Sequence, residues 1–316
     1  MDVHSIFWAA FVAIFFIVFS VDMFVTRHRH KKISIKTALF WTAVWITTAV
    51  LYGAAIFFFY PDGKEKAFEF LTGYLTEYSL SVDNLFVFIM IFSVMGISER
   101  SQPRMLKIGI LLSIFFRIIF ILFGIEMIHR FHFVIYIFGV VLLYTAYKML
   151  FMDDEEIDPE KNFFYKTAQK YFRIDVNPDA EKMFIRKEHK TYATTLFLIF
   201  LLIGTTDIVF ALDSIPAIIG ITTDTFVVIT SNVFAVLGLV SLFFALEGIM
   251  HMFRFLKTGV AVILFFVAVK MLISGFYEVP IIASLAFIIL ALATSIVTSV
   301  LVKEEPEPVK IEEKED

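Results

Sequence analysis

The sequence predicts an all-α, polytopic transmembrane helix bundle of about nine spans, built around an inverted 3+3 repeat. Three observations carry that prediction. The 316 residues are 59% hydrophobic and only 18% charged, with a mean hydropathy of +0.83, whereas soluble domains are nearer one-quarter charged. Apolar runs of the length needed to cross a bilayer, about 20 residues, follow one another with one long polar interruption at 152–192. An acidic motif occurs twice, three runs apart.

The runs fall at about 5–26, 36–60, 68–95, 106–128, 132–151, 193–220, 225–249, 255–277 and 280–302. The connection after the first run carries Arg27, Arg29, Lys31, Lys32 and Lys36, and no Lys or Arg precedes that run. Positive residues favour the cytoplasmic side, which sets the amino terminus outside. With nine crossings, alternation then puts Arg100, Arg104, Lys107, the 152–192 loop, Arg254, Lys257 and the carboxyl terminus inside. Only Lys64, Lys66 and Arg130 fall outside. The expected location is a bacterial-type inner membrane. The first run lacks a basic leader and a small-residue cleavage site, so it reads as a span and not as a cleaved signal.

One transmembrane domain, 1–302, is expected, with repeat halves at about 68–151 and 193–277. The cytoplasmic loop 152–192 reads as a linker; its aromatic stretch Phe163, Phe164, Tyr165, Ala168, Tyr171, Phe172 is compatible with an interfacial helix. A regulatory or docking role is its alternative. The tail 303–316, rich in Glu, Lys and Pro, reads as disordered. With no cysteine, disulfides, thiolate metal sites and Cys nucleophiles are excluded. A net charge of -4 and the lack of a basic, aromatic-interleaved patch argue against nucleic acid.

The repeat is read from Glu77-Tyr-Ser-Leu-Ser-Val-Asp83-Asn84-Leu85 against Asp207-Ile-Val-Phe-Ala-Leu-Asp213-Ser214-Ile215. Lys148-Met149-Leu150 and Lys270-Met271-Leu272 match in the same order. Spans three to five thus correspond to spans six to eight. An offset of three spans makes the copies cross in opposite directions, the arrangement that places transporter sites near the midplane.

An ionisable group at a helix centre costs roughly 2.5–3.5 kcal/mol, so Glu77, Asp83, Asp207 and Asp213 left bare would cost on the order of 10 kcal/mol. The intramembrane cations are Arg117, Lys148 and Lys270, and Lys148 is placed to snorkel. Either some carboxyls are protonated or a bound cation supplies the missing charge. Six residues turn a helix by about 600 degrees, so Glu77 and Asp83 stand about 120 degrees apart; local unwinding near Asp83 or Asp213 would gather them. Glu77, Ser81 and Asn84 share a face, as do Ser79 and Asp83. Pro216 removes the bond to the carbonyl of Leu212 and could free it as a ligand. Carboxylate, amide, hydroxyl and carbonyl oxygens suit magnesium, calcium or manganese.

The plainer readings are that the acids pair with Arg117 and Lys270 to hold the bundle, or handle protons alone. Asn84 and Ser214 divide between cation contact and interhelical hydrogen bonding. Ser231 and Asn232 read as polar glue, with Asn232 also a candidate accessory group. Asp22, in a faint third echo of the motif, reads as an interfacial acid. The seven histidines lie in loops or near span ends and do not read as a metal site. Phenylalanines read as lipid-facing or packing surface, and Trp8, Trp41 and Trp45 as packing or interface anchors.

Leu80-Ser81-Val82-Asp83-Asn84-Leu85-Phe86-Val87-Phe88 and Phe210-Ala211-Leu212-Asp213-Ser214-Ile215-Pro216-Ala217 resemble motifs of the TerC/Alx family of integral membrane proteins. The likeness continues through Thr230-Ser231-Asn232-Val233-Phe234-Ala235-Val236-Leu237-Gly238-Leu239 and Phe255-Leu256-Lys257-Thr258-Gly259-Val260, covering about residues 8–300. The resemblance implies an association with tellurium resistance, kinship with LysE-type transporters, and manganese as the transported ion. It places the family's acidic motifs on Glu77, Asp83 and Asn84, and on Asp207, Asp213 and Ser214. Two positions depart from the pattern: Gly204 stands where a Glu is usual, and Val240 where an Arg is usual.

The expected function is export of manganese or a similar divalent cation by alternating access. The metal groups are Glu77, Asp83, Asn84, Asp207, Asp213 and Ser214; Asp22, Ser81, Arg117, Asn232 and Lys270 are accessory candidates, and proton exchange is a further expectation. No prosthetic group is expected, and the partners are the cation and the lipid bilayer. The alternative is a membrane scaffold or insertion partner with structural acids. An enzyme is not expected, since no nucleophile–base pair, phosphate loop or HExxH motif is present. The lack of an ATP-binding motif also argues against a primary pump.

Overall fold

The computed structural model describes residues 2–27, 34–95, 97, 101–131, 133–152, 163–175, 182–187, 190–249, 255–277 and 279–302. It is 83% helical, so the protein is of the all-α, polytopic membrane class. The helices are α1 (Val3–Arg27), α2 (Ile35–Phe59), α3 (Gly63–Val94), α4 (Gln102–Arg130), α5 (Val134–Phe151), α6 (Phe163–Tyr171), α7 (Thr195–Ile219), α8 (Thr225–Val236), α9 (Leu239–Ile249), α10 (Leu256–Ile273) and α11 (Ile281–Leu301). Among the described residues six stretches are long and apolar enough to cross a membrane: Val3–Val21, Ile35–Phe59, Met105–Arg130, Val134–Phe151, Leu256–Ile273 and Ile281–Leu301. A seventh arises if α8 and α9 form one span. Helices α3 and α7, which carry the acidic motifs, are not among the six.

Local chemistry sets the boundaries. The Ser34 side chain accepts from the Thr37 backbone N–H at the start of α2, and Pro103 sits in the first turn of α4, where its missing N–H costs nothing. Gly63 opens α3 directly against the end of α2; a Cβ there would strike the carbonyl oxygens of Ile56 and Phe57.

Two expectations are corrected. The run at 225–249 is not one helix: α8 ends at Val236, Gly238 adopts φ +87°, and α9 leaves at a bend of 41°. The connection 152–192 holds more than an interfacial helix. Besides α6 it forms a small mixed sheet of β1 (Arg173–Asp175), β2 (Phe184–Lys187) and β3 (Lys190–Thr194), in the order β1-β3-β2. Pairing is parallel between β1 and β3, with Ile174 opposite Ala193, and antiparallel between β2 and β3, with Ile185 opposite Tyr192. The β-branched and aromatic residues of Thr191-Tyr192-Ala193-Thr194 favour strand. Phe172 and Phe184 fasten the sheet to Phe197 of α7, with ring centroids 5.3 and 4.7 Å away. The tail 303–316 lies outside the described residues.

Burial separates a centre from a rim. Helix α8 is buried along its length from Phe226 to Val236, and α3 buries Phe70, Thr72, Tyr74, Thr76, Glu77, Ser79 and Ser81. A helix covered on every side belongs in a core. Helices α1, α2, α4 and α11 instead leave Phe16, Phe58, Phe123 and Leu290 more than half exposed. So much apolar surface is stable against hydrocarbon and not against water. Packing pairs α3 with α8, α4 with α7 and α5 with α10; α3 also meets α7, and α4 meets α8. Gly139 lets α5 approach α10, since a Cβ would lie 3.3 Å from the Ala268 carbonyl oxygen.

At the end of the bundle where α2 turns into α3, α1 is tied to its neighbours by polar and aromatic contacts. Trp8 Nε1 donates to His4 Nε2 at 3.0 Å, so the other ring nitrogen carries the proton toward Tyr60 Oη at 2.6 Å. Tyr60 stacks on Phe226 with centroids 4.9 Å apart. Burial, and then the nearby Asp224 carboxylate, hold the Tyr60 phenol above its ordinary pKa. Asp224 caps α8, accepting from the backbone N–H groups of Phe226 at 3.0 Å and Val227 at 3.2 Å, while its other oxygen lies 3.0 Å from Lys66 Nζ. Replacing Asp224 with alanine is expected to cost about 1 kcal/mol through the lost cap, read as a lower melting temperature in detergent. Asp224→Asn keeps the cap and should retain most of that stability.

Candidate functional site

Glu77 lies midway along α3 and Arg117 midway along α4. Both are essentially inaccessible, at 1% and 2% exposed. A carboxylate buried this deeply is stable only if paired and hydrogen-bonded, and its environment does both. Arg117 Nη1 contacts Glu77 Oε1, Ser81 Oγ donates to the same oxygen at 3.0 Å, and Asn232 Nδ2 donates to Oε2 at 2.9 Å. The guanidinium is itself positioned: Nε donates to Ser113 Oγ at 3.0 Å and Nη1 to Ser214 Oγ at 3.3 Å. Four helices, α3, α4, α7 and α8, thus meet in one polar network.

The structure therefore gathers Glu77, Ser81, Ser214, Arg117 and Asn232 from the sequence candidates. Asn232 is glue of the kind expected, yet its amide oxygen has no hydrogen-bond partner among the described residues. Asn84 is half-buried and outside this network. Lys270, on α10, lies within electrostatic reach of Glu69 and does not join Glu77 among the described contacts. Ser231 turns back on its own helix, donating to the Val227 carbonyl at 2.7 Å, and Ser79 likewise donates to the Leu75 carbonyl at 2.7 Å.

Unwinding is not how the groups meet. The backbone stays helical through Asp83 in α3 and through Asp213 in α7, with Pro216 inside the last turns of α7. Convergence comes from packing four helices, and among the described residues a break falls at Gly238, between α8 and α9. The side chains of Asp22, Asp83, Asp207 and Asp213 lie outside the described residues. Among the described residues no group of three or more His, Asp or Glu stands together. Ser113 was missed by sequence reasoning. Its signal was its place one turn before Arg117, on the same helix face.

The sequence profile of the "Integral membrane protein TerC family" matches residues 62–307, which include every element of this network. The chain belongs to the TerC family. Curated relatives agree in length as well as sequence. "Uncharacterized membrane protein STKORF319" of Myxococcus xanthus is 40% identical over 93% of this chain and 92% of its own. "Putative membrane-bound redox modulator Alx" of Escherichia coli K12 is 38% identical over 89% and 90%. No solved structure matches.

The two positions at which the resemblance leads one to expect another residue, Gly204 and Val240, are both internal. A Cβ at Gly204 would fall 2.7 Å from Leu112 Cδ2 on α4, so the larger side chain expected there would displace Leu112. Val240 is buried in α9, and a charge at that position would need a partner.

Proposed function

We propose that this TerC protein is a nine-span inner-membrane transporter that exports manganese or a similar hard divalent cation by alternating access, with its amino terminus outside and its carboxyl terminus in the cytoplasm. The observation that carries the reading is the oxygen-rich network at the junction of α3, α4, α7 and α8. The packing supports an inverted repeat. Exchanging α3 with α7, α4 with α8 and α5 with α10 turns the α3–α8 contact into α7–α4 and leaves α5–α10, α3–α7 and α4–α8 each mapped on itself. Such a pseudo-two-fold arrangement is what alternating access uses.

Glu77 is paired with Arg117, and ion binding is assigned to Asp83, Asp207 and Asp213 together with it. The three aspartates lie on α3 and α7, which pack against each other. Oxygen ligands suit a hard cation, and a carboxyl without its cation takes up a proton more readily, so proton exchange is the proposed coupling. The relatives named for redox modulation fit through the ion moved, since this chain has no thiol of its own. Manganese efflux from loaded vesicles is expected to fall at least tenfold in Asp83→Asn and in Asp213→Asn. Undiminished efflux in correctly inserted variants would remove both acids from the mechanism.

The ion pair also favours a second reading, a membrane scaffold whose acids are structural and whose connection 152–192, with its sheet, binds another protein. There, replacing 155–188 abolishes the phenotype while Asp83→Asn and Asp213→Asn leave it intact.

A further inference from the structure

Within the network the ion pair is not a closed unit, because two of its surroundings are over-supplied with oxygen. Glu77 accepts from Ser81 and Asn232 as well as from Arg117. A carboxylate only accepts, so Asn232 must turn its nitrogen toward Glu77. That leaves the amide oxygen, on a residue 1% exposed, with no partner among the described residues. Ser214, on the α7 motif, is held to Arg117 by a hydrogen bond of 3.3 Å, longer than the usual N–H···O distance. The network thus holds a carboxylate, the unsatisfied amide oxygen of the Asn232 that bonds it, and the hydroxyls of Ser113 and Ser214 beside the guanidinium. These are the oxygen types that a hard divalent cation takes. Arg117 is fixed at Nε by Ser113 of its own helix, so the guanidinium can change partners at its Nη end while its stem stays anchored.

We infer that Arg117 is a tethered counter-cation: it occupies Glu77 while the transported ion is absent and competes with that ion for the carboxylate when it arrives. This rests on the transport reading above and adds to it the residue that sets how tightly the ion is held. A permanent internal competitor keeps binding weak enough for release, and it spares the empty protein a bare buried charge. A divalent ion can displace it where a monovalent one gains little, because the arriving charge must exceed the one it replaces. Arg117 is thus also a filter against sodium and potassium.

The test is Mn2+ binding to the full-length protein purified in detergent, measured beside Mn2+ flux in vesicles. Arg117→Gln is expected to bind Mn2+ at least tenfold more tightly and to turn over more slowly, and Arg117→Lys is expected to stay near the parent in affinity. Should Arg117→Gln fail to fold, Ser113→Ala replaces it: it keeps both charges and removes the bond that holds Nε, so the competitor is less well placed on Glu77. Mn2+ should then bind more tightly than in the parent, while unchanged or weaker binding counts against the counter-cation. Equal or weaker binding after loss of Arg117, in a parent protein that binds Mn2+, overturns the counter-cation and leaves transport standing. A parent protein that neither binds nor moves Mn2+ overturns both.

Discussion

Arg117→Ala should lower the stability of this protein by about 3–5 kcal/mol, the cost typical of removing one partner from a buried ion pair. The reason is the stranded partner more than the lost contact. Glu77 would keep Ser81 and Asn232 as donors but lose the arginine paired with it at a site that is 1% exposed. Ser113 and Ser214 would lose the group that joins them across α4 and α7. Thermal unfolding in detergent reads the effect. The decisive comparison is Glu77→Gln/Arg117→Gln, which removes both charges together. That pair should recover more than half of the loss, because an uncharged pair carries no ionic desolvation cost. If the double variant is as unstable as Arg117→Ala, the helices are held by shape at this point and the charge is incidental.

That outcome bears on how much of the site the letters carry. The acidic motifs are legible because ionisable residues inside apolar runs are costly, so each one asks for an explanation. Arg117 is legible for the same reason, and pairing of the acids with Arg117 and Lys270 is one of the three readings the residues allow; the letters do not say which acid Arg117 takes. What the letters do not carry is convergence. Asn232 and Ser214 are remote in sequence from the ion pair; Asn232 reaches Glu77 because α8 packs beside α3, and Ser214 reaches Arg117 because α7 packs beside α4. Ser113 looks like any helix hydroxyl until the arginine one turn away is known to be buried. Bilayer physics makes the helix positions readable, since each apolar run must satisfy its own backbone. It does not reveal the break at Gly238, where one glycine in an unbroken apolar run gives no compositional signal. The sheet of the 152–192 connection was hidden for the opposite reason: its strands are three to five residues long and lie among charges, where periodicity is weak.

Gly238→Val is expected to be the second costly substitution, at about 3 kcal/mol or more from two separate sources. The first is the backbone. Gly238 has φ +87°, a conformation that a β-branched residue rarely adopts. The second is space, because a Cβ at this position would run into the ring of Trp45 on α2, itself buried and stacked on Trp41 at 5.4 Å. The two can be separated. In a Trp45→Ala background the ring is gone and only its Cβ, at 2.9 Å, stays close, so the further loss on adding Gly238→Ala should be smaller than in the parent if crowding by the ring dominates and equal to it if backbone strain does. The consequence reaches the site through α8. Asn232 lies roughly a turn and a half before this break, and its hydrogen bond to Glu77 depends on where α8 ends and how it sits on α3. A shifted break should therefore weaken the Asn232–Glu77 contact as well as the docking of α9 on α2. Gly238→Val then behaves as a site mutation although nothing at position 238 touches Glu77. Normal manganese flux in a well-folded Gly238→Val protein would show that the bend is free of the site.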